Sequence, residues 1–200
     1  MADSIYNDEK FIYSLYSEME KRLKQHRFIH SVMVAGTAAA LAMKYGADPG
    51  RAQVAGILHD NAKCYDDEEL VELCRKKDIA ISDFEEKHGF LLHAKYGAYV
   101  ARKKYGIEDE DVLNAIRWHT TGHENMTLLE KIIFVADYME PLRNKAKNLD
   151  LIRDTVLNGK DIDDAVRMIM HDTLDYLHAS DFKIDPVTQA AYDHYTGLIN

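Results

Sequence analysis

The sequence predicts an all-α protein, a helical bundle of about nine to ten helices. Apolar residues recur with the 3.6-residue period of amphipathic helices, and β-branched residues are scattered instead of alternating as in strands. Only three prolines occur in the 200 residues, and each stands where a predicted helix begins or ends. The length suits one domain with a sizeable core, so we expect residues 1–200 to form a single domain.

The predicted helices are bounded by residues that favour helix ends. Gly46 ends the second helix, and Asp48 caps the third with Pro49 at its first position. Capping-box patterns stand at 82–85 and 127–130, and the first of them is expected to open only a short turn. The helices are predicted at about 8–24, 28–45, 49–60, 67–77, 90–105, 109–119, 127 to Pro141, 149–157, 161–178 and 186–198.

The net charge of −9 and the pI of about 5.5 argue against nucleic-acid or anionic-membrane partners. If the substrate is a polyanion, positive charge must therefore be local. Cys64 and Cys74 form no disulfide framework, which favours the reducing cytoplasm. Residues 1–10 lack the features of a signal peptide, and the weakly polar run 31–43 is too short to span a bilayer.

An adjacent His59-Asp60 pair in "ILHDNAKCYDDEEL" (57–70) stands near the predicted end of a helix. Successive helical side chains point about 100° apart, but at a helix end the backbone can turn and bring them to one point. An imidazole nitrogen and a carboxylate oxygen together suit a divalent first-row metal. We therefore interpret the pair as part of a metal site whose other ligands come from elsewhere.

His30 in "FIHSVMVAG" and Asp137 in "IIFVADYME" are the candidates for those other ligands, since both follow apolar residues. A histidine on an apolar helix is more often a hydrogen-bonded core residue, and a buried aspartate is as often a cap or a structural hydrogen-bonding group. A buried carboxylate without a partner is nevertheless costly. The joint order His30, His59-Asp60, Asp137 favours a site of two histidines and two aspartates.

Arg27 and Lys63 stand three residues from a candidate ligand, and Arg143 follows Asp137 just past a proline. Side chains at that spacing share one face of a helix. An arginine beside a metal ligand suits a phosphate clamp, although an exposed surface position is the usual role of such residues. His26, His88, His171, His178 and His194 receive no predicted role, and surface exposure is favoured for His123.

The stretches "HSVMVAGTAAALAMKYG", "AGILHDNAK", "LLHAKYGAYVARKKYGI", "AIRWHTTG" and "FVADYMEPLR" resemble the HD-domain metal phosphohydrolases. These stretches are most similar to the YqeK-type branch of that family, the symmetrical diadenosine tetraphosphate hydrolases of bacteria. The resemblance implies an all-α HD fold, one or two bound iron ions or another first-row metal, and cleavage of diadenosine tetraphosphate into two ADP. A small departure is Asn61, where the branch leads us to expect a bulkier residue.

The resemblance also implies roles for individual residues. His30, His59, Asp60 and Asp137 would bind metal, and Asp60 and Lys63 would be catalytic. His93 and His119 are expected on the substrate side, with a second metal as the alternative, and the segment 180–185 would form a wall around the nucleotide, with an ordinary connecting loop as the alternative. The expected substrate-binding set is Arg27, Asn61, Ala62, Lys63, His93, His119, Tyr138, Arg143, Ser180, Asp181, Phe182, Lys183, Ile184 and Asp185.

Three functions remain open at this point. The leading one is symmetrical cleavage, in which one nucleoside rests against the segment 180–185 and the other half extends towards solvent. An HD-domain nucleotidase or phosphodiesterase on another nucleotide is the second, although the "GYP" signature of the cyclic-dinucleotide branch does not occur in the sequence. The third is a non-catalytic nucleotide-binding module. The expected partner is a small nucleotide, and a homodimer is compatible with the sequence.

Overall fold

The computed structural model describes residues 2–180 and 183–197, and only the backbone of residues 2–4. Within these residues there is no strand, and the predicted all-α fold class is confirmed. Eleven α-helices are present because the capping box at 82–85 opens a short helix instead of a turn. They are α1 (Glu9–Arg22), α2 (Gln25–Tyr45), α3 (Pro49–Leu58), α4 (Asp67–Lys76), α5 (Asp83–Lys87), α6 (Leu92–Tyr105), α7 (Glu110–Trp118), α8 (Leu128–Met139), α9 (Leu149–Asn158), α10 (Ile162–Ala179) and α11 (Pro186–Thr196).

The predicted helix ends agree with local chemistry. Gly46 ends α2 in the left-handed conformation, with φ of 82°, which costs glycine little. The Asp48 carboxylate accepts a hydrogen bond from the Arg51 amide at the start of α3. Capping boxes open α5 at Ser82 and α8 at Thr127. Short 3-10 helices cover Ala2–Asn7 and Gly89–Leu91.

Helices α2 and α3 pack unusually close, and this packing places the candidate site. A Cβ atom at Gly56 would lie 2.7 Å from the Cα of Ala35, so only a residue without a side chain fits there. Ala35, Ala38 and Ala42 on the facing side of α2 are fully buried. The small residues that the sequence places in α2 thus let the two backbones approach, and His30 comes to lie beside the end of α3.

Helix α2 is also the one helix among the described residues that is long and apolar enough to cross a membrane, with a mean hydropathy of 1.2. Its buried residues include His30, Ser31, Val34 and Leu41, and it packs against α3 and α8. Because 39% of this apolar stretch is buried inside the protein, packing against α3 and α8 accounts for part of its apolar character.

Candidate metal centre

The His59-Asp60 pair lies in the turn that follows α3. The Asn61 amide donates to the Leu58 carbonyl at 3.0 Å, and the Asn61 side-chain amide donates to the carbonyls of Leu58 (2.8 Å) and Gly97 (3.0 Å). This turn brings the His59 Nε2 atom within 3.5 Å of Asp60 Oδ2. The two adjacent side chains therefore converge on one point, as predicted for a pair at the end of a helix.

His30 and Asp137 reach the same point from α2 and α8. The His30 Nε2 atom lies 2.9 Å from Asp137 Oδ1 and 4.0 Å from Asp60 Oδ2. The distance from His59 Nε2 to Asp137 Oδ1 is 3.9 Å. His30, His59 and Asp60 are buried, and the Asp137 side chain is 23% exposed. The structure thus brings together the four residues that were predicted to bind metal.

The outward nitrogen of each histidine in this region is already engaged. The Nδ1 atom of His59 donates to the Gly56 carbonyl at 2.6 Å, and that of His119 to the Ile116 carbonyl at 2.8 Å. Once Nδ1 carries the proton, Nε2 of a neutral ring presents a lone pair to the interior. Partners on the outer nitrogen are typical of histidines that ligate metal.

The inward nitrogens of His30 and His59 make no well-formed hydrogen bond although both are buried. His30 Nε2 lies 2.9 Å from Asp137 Oδ1, but with the ring proton on Nδ1 it has no hydrogen to donate to that carboxylate. Buried polar atoms normally have partners. Two nitrogen lone pairs facing two carboxylates form a donor set of borderline hardness that suits a first-row divalent ion. The residues present therefore fit a metal ion.

Asp60 joins this set to a second one. Its Oδ1 atom lies 3.4 Å from His93 Nε2 and 3.5 Å from His119 Nε2, while Oδ2 faces His30 and His59. The two Nε2 atoms of His93 and His119 are 3.1 Å apart, and Thr120 Oγ1 contacts both. Asp60, His93 and His119 could themselves hold an ion. Because both histidines are almost fully buried, they have little surface for a substrate.

Most groups at the centre have the charge state that binds metal at neutral pH. The exception is His30, whose pKa Asp137 and Glu140 raise against burial, so that a metal ion competes with a proton for this ring. Burial alone would raise the pKa of Asp60, but the close approach of His59, His119 and His93 lowers it well below its usual range. The pKa of Asp137 is lowered in the same way, against burial, chiefly by His30. Burial lowers the pKa of His93 to about 4. The carboxylates are therefore charged and His93 is neutral, the states that coordinate metal.

Cationic groups rim the two carboxylates. Arg27 Nη1 lies 2.9 Å from Asp60 Oδ2, and Arg143 Nη2 lies 2.8 Å from Asp137 Oδ1. The two arginine side chains keep 33% and 37% of their surface exposed. Lys63 is half-buried, and burial lowers its pKa against the attraction of Asp60. The three predicted phosphate-binding cations thus lie at the centre with free surface.

Three of the residues predicted to contact substrate have other roles in the structure. Asn61 and Ala62 are fully buried, so the prediction that these side chains contact substrate is corrected: Asn61 holds the turn, and Ala62 packs in a small apolar cluster with Leu70. The Tyr138 hydroxyl lies within hydrogen-bonding distance of Asp172, at 3.4 Å. Tyr138 lines a cavity of about 390 Å³ that Lys145 and residues of α10 also line.

The segment 180–185 is described in part. Asp181 and Phe182 lie outside the described residues. Ser180, which ends α10, is exposed, as is Lys183, and Ile184 is half-buried. Asp185 caps α11 and lines one pocket together with Thr120. The end of the segment therefore reaches the side of the centre that holds His93 and His119.

Two further polar residues of the centre were not predicted. Glu140 is 3% exposed, and its carboxylate contacts His30 Nδ1 at 3.2 Å and accepts from the Leu142 amide at 2.6 Å. Its position three residues after Asp137 was the available signal, since both lie on one helix face. Thr120 directly follows His119. His123 lies outside the centre, 3.2 Å from Glu130.

Comparison with known proteins agrees with this geometry. Residues 27–142 match the HD domain family. A protein of Halalkalibacterium halodurans named bis(5′-nucleosyl)-tetraphosphatase, symmetrical, is 44% identical, with 88% of this chain and 91% of that protein covered. A protein of Bacillus subtilis with the same name is 37% identical over 88% and 92%. The crystal structure of a predicted HD superfamily hydrolase involved in NAD metabolism from Clostridium acetobutylicum matches with a TM-score of 0.87 and 35% identity, covering 93% and 97%.

The family match covers more than half of the chain, and the matched residues 27–142 include His30, the His59-Asp60 turn and Asp137. The relatives align over nearly their whole length and share one name. The resemblance drawn from the sequence is thereby confirmed: this chain belongs to the HD domain family, among the relatives named symmetrical bis(5′-nucleosyl)-tetraphosphatase.

Proposed function

We propose that this protein is a metal-dependent hydrolase that cleaves dinucleoside tetraphosphates symmetrically, converting diadenosine tetraphosphate into two ADP. The observation that carries the proposal is the convergence of His30, His59, Asp60 and Asp137, with two buried nitrogens that lack hydrogen bonds. The shared name of the relatives supports the substrate. The complete donor set favours an enzyme over a non-catalytic binding module.

The proposed ligands of the first ion are His30, His59, Asp60 and Asp137. We propose Asp60, His93 and His119 as the ligands of a second ion. Two observations support this: Asp60 Oδ1 faces both histidines, and the two histidines are buried. Iron is the metal that the family resemblance implies, and the nitrogen and oxygen donors suit other first-row divalent ions as well. When bound, such an ion supplies Lewis acidity and lowers the pKa of a coordinated water.

The catalytic roles proposed for this chain's own residues follow from their positions. Asp60 can orient the attacking water, because its two oxygens face both ligand groups. Lys63, Arg27 and Arg143 offset charge that develops on the phosphates in the transition state. Arg27 and Arg143 already contact the carboxylates of the centre and expose about a third of their surface, so each can reach a phosphate.

Symmetrical cleavage follows from where the positive charge gathers. The candidate ligands and three cations converge on one short stretch of phosphate chain. We propose that one nucleoside rests against the segment 180–185, including Asp181 and Phe182, with two phosphates reaching back to the centre. The family resemblance supports this placement, and Asp185 at the end of the segment lines a small pocket of about 80 Å³ together with Thr120, which contacts His93 and His119. The scissile bond then lies beyond the second phosphate.

Residues 1–200 are proposed to act as one HD-type domain in the cytoplasm, on a small nucleotide and not on nucleic acid or membranes. The net charge of −9 supports the exclusion of polyanionic macromolecules, which require broad positive surfaces.

The test is the product pattern. The protein is incubated with diadenosine tetraphosphate and ferrous ion without oxygen, and the nucleotides are separated by chromatography. We expect ADP as the single nucleotide product, and no cleavage in a parallel reaction with excess chelator. ATP and AMP in equal amounts, or no metal-dependent cleavage while a nucleoside monophosphate is rapidly hydrolysed, would overturn the proposal.

A further inference from the structure

A groove of about 440 Å³ opens beside the metal centre, between the start of α2 and the segment that follows α8. His30 and Glu140 belong to its lining, so the groove is continuous with the centre. It shares no lining residue with the pocket that Asp185 and Thr120 line. A ligand that spans the centre could therefore occupy both places at once.

Two large apolar side chains line this groove although they face water. Ile29 on α2 is 37% exposed, and Leu142 after α8 is 57% exposed. Single exposed apolar residues are ordinary on protein surfaces. Here, however, two of them belong to one concave site next to a candidate metal centre, and sites of that kind typically bind small molecules. Together they offer an aliphatic surface to a flat ring.

Three cationic side chains, Arg27, Arg143 and the exposed Lys145, line the groove in a chain of net charge −9. Two of them, Arg27 and Arg143, also pair with Asp60 and Asp137. The lining of the groove contains one carboxylate, that of Glu140, which is buried and already accepts from the Leu142 amide. Positive groups beside an aliphatic surface complement an anion that carries an aromatic ring, and a nucleotide has this chemistry.

We propose that this groove binds the second nucleoside diphosphate half of the substrate. Its base would lie against Ile29 and Leu142, and its phosphates would lie among Arg27, Arg143 and Lys145. The inference rests on the proposed function and deepens it, because both nucleosides become part of recognition. It replaces the expectation that the second half extends freely into solvent.

The experiment compares two ligands in the full-length enzyme. The kcat/KM for diadenosine tetraphosphate is measured for the wild type, Leu142→Ala and Ile29→Ala. The inhibition constant of adenosine 5′-tetraphosphate, which has one nucleoside only, is measured in the same proteins. Leu151→Ala is the matched control, since Leu151 is also 57% exposed but lies on α9. Thermal unfolding checks that each variant is folded.

We expect Leu142→Ala and Ile29→Ala to lower kcat/KM for the dinucleotide roughly 5- to 10-fold, the loss typical of a few partly buried methylene contacts. The inhibition constant of adenosine 5′-tetraphosphate should change by less than about 2-fold, as should both quantities in Leu151→Ala. Unchanged kcat/KM, or equal weakening of both ligands, would overturn the inference. A wild type that releases no ADP from the dinucleotide would instead refute the proposed function itself.

Discussion

The Nε2 atom of His30 on α2 lies 2.9 Å from Oδ1 of Asp137 on α8. This contact joins the first and the last of the four predicted ligands. It depends on the packing of α2 against α8 and on Glu140, which contacts the opposite nitrogen of the His30 ring. Helix packing therefore fixes the orientation of the His30 imidazole between the carboxylates of Asp137 and Glu140, and this orientation is what the proposed metal site requires.

Glu140 is expected to orient His30 for metal. Glu140→Ala should weaken metal affinity about 10- to 100-fold, the usual effect of losing the partner of a ligating histidine. Glu140→Gln should weaken it less, because its amide oxygen can still accept from Nδ1. Competition against a chelating dye measures both affinities. Wild-type affinity in Glu140→Ala would show that His30 needs no such partner.

Lys63 and Arg143 are expected to act on phosphate and not on metal. Lys63→Ala and Arg143→Ala should keep the metal content while turnover or nucleotide binding weakens. A charge-assisted contact of this kind is typically worth about 1.5–3 kcal/mol, or roughly 10- to 150-fold. Metal analysis and steady-state kinetics separate the two effects. The exposed Lys160 provides a Lys160→Ala control. If the Lys63 and Arg143 variants are as active as this control, these two residues do not bind phosphate.

The metal-free protein should lose stability as the pH falls from 6.5 towards 4. Burial lowers the pKa of His93 from 6.5 to about 4, so the unfolded chain binds more protons than the folded protein in this window. Asp60 and Asp137, whose pKa values are lowered, lose their stabilising effect at lower pH. For His30 the pKa is raised by Asp137 against burial, and its contribution disappears only as the pH rises above 6.5.

His93→Gln should therefore flatten the dependence of stability on pH between 6.5 and 4. Urea unfolding of chelator-treated protein at several pH values measures the free energy of unfolding. His171→Gln is the control, because the His171 side chain is 59% exposed. If His93→Gln and His171→Gln give the same slope, His93 is not buried in its neutral form.

Gly56 should be essential to the approach of α2 and α3. Gly56→Ala places a methyl group 2.7 Å from the Cα of Ala35, and the backbones must separate. We expect a loss of about 1–3 kcal/mol in the free energy of unfolding. Gly36→Ala on α2 meets nothing within 4 Å and should raise stability by about 0.5–1 kcal/mol. Equal effects of the two substitutions in urea unfolding would argue against the close approach.

Much of the fold was predictable because its signals are local. Asp48 and Gly46 mark helix ends through their own backbone chemistry, and apolar periodicity marks the faces. The four candidate ligands were predictable because their joint order, His30, His59-Asp60 and Asp137, favoured a metal site and matched the HD-domain resemblance, although each residue alone had a structural alternative. Asn61 was misassigned because its partner, the Gly97 carbonyl on α6, is set by tertiary packing. The role of Glu140 and the groove beside Leu142 depend on how the end of α8 meets α2, which no local pattern specifies.

The central claim is that His30, His59, Asp60 and Asp137 hold a catalytic metal ion. Crystals soaked with ferrous ion and ADP, measured at the iron absorption edge, test it most directly. We predict an anomalous peak among these four side chains in the wild type. In Asp137→Ala the peak and the hydrolase activity should disappear together while the helical circular dichroism persists. Stoichiometric metal at this position in Asp137→Ala, or an active wild type without a peak there, would contradict the claim.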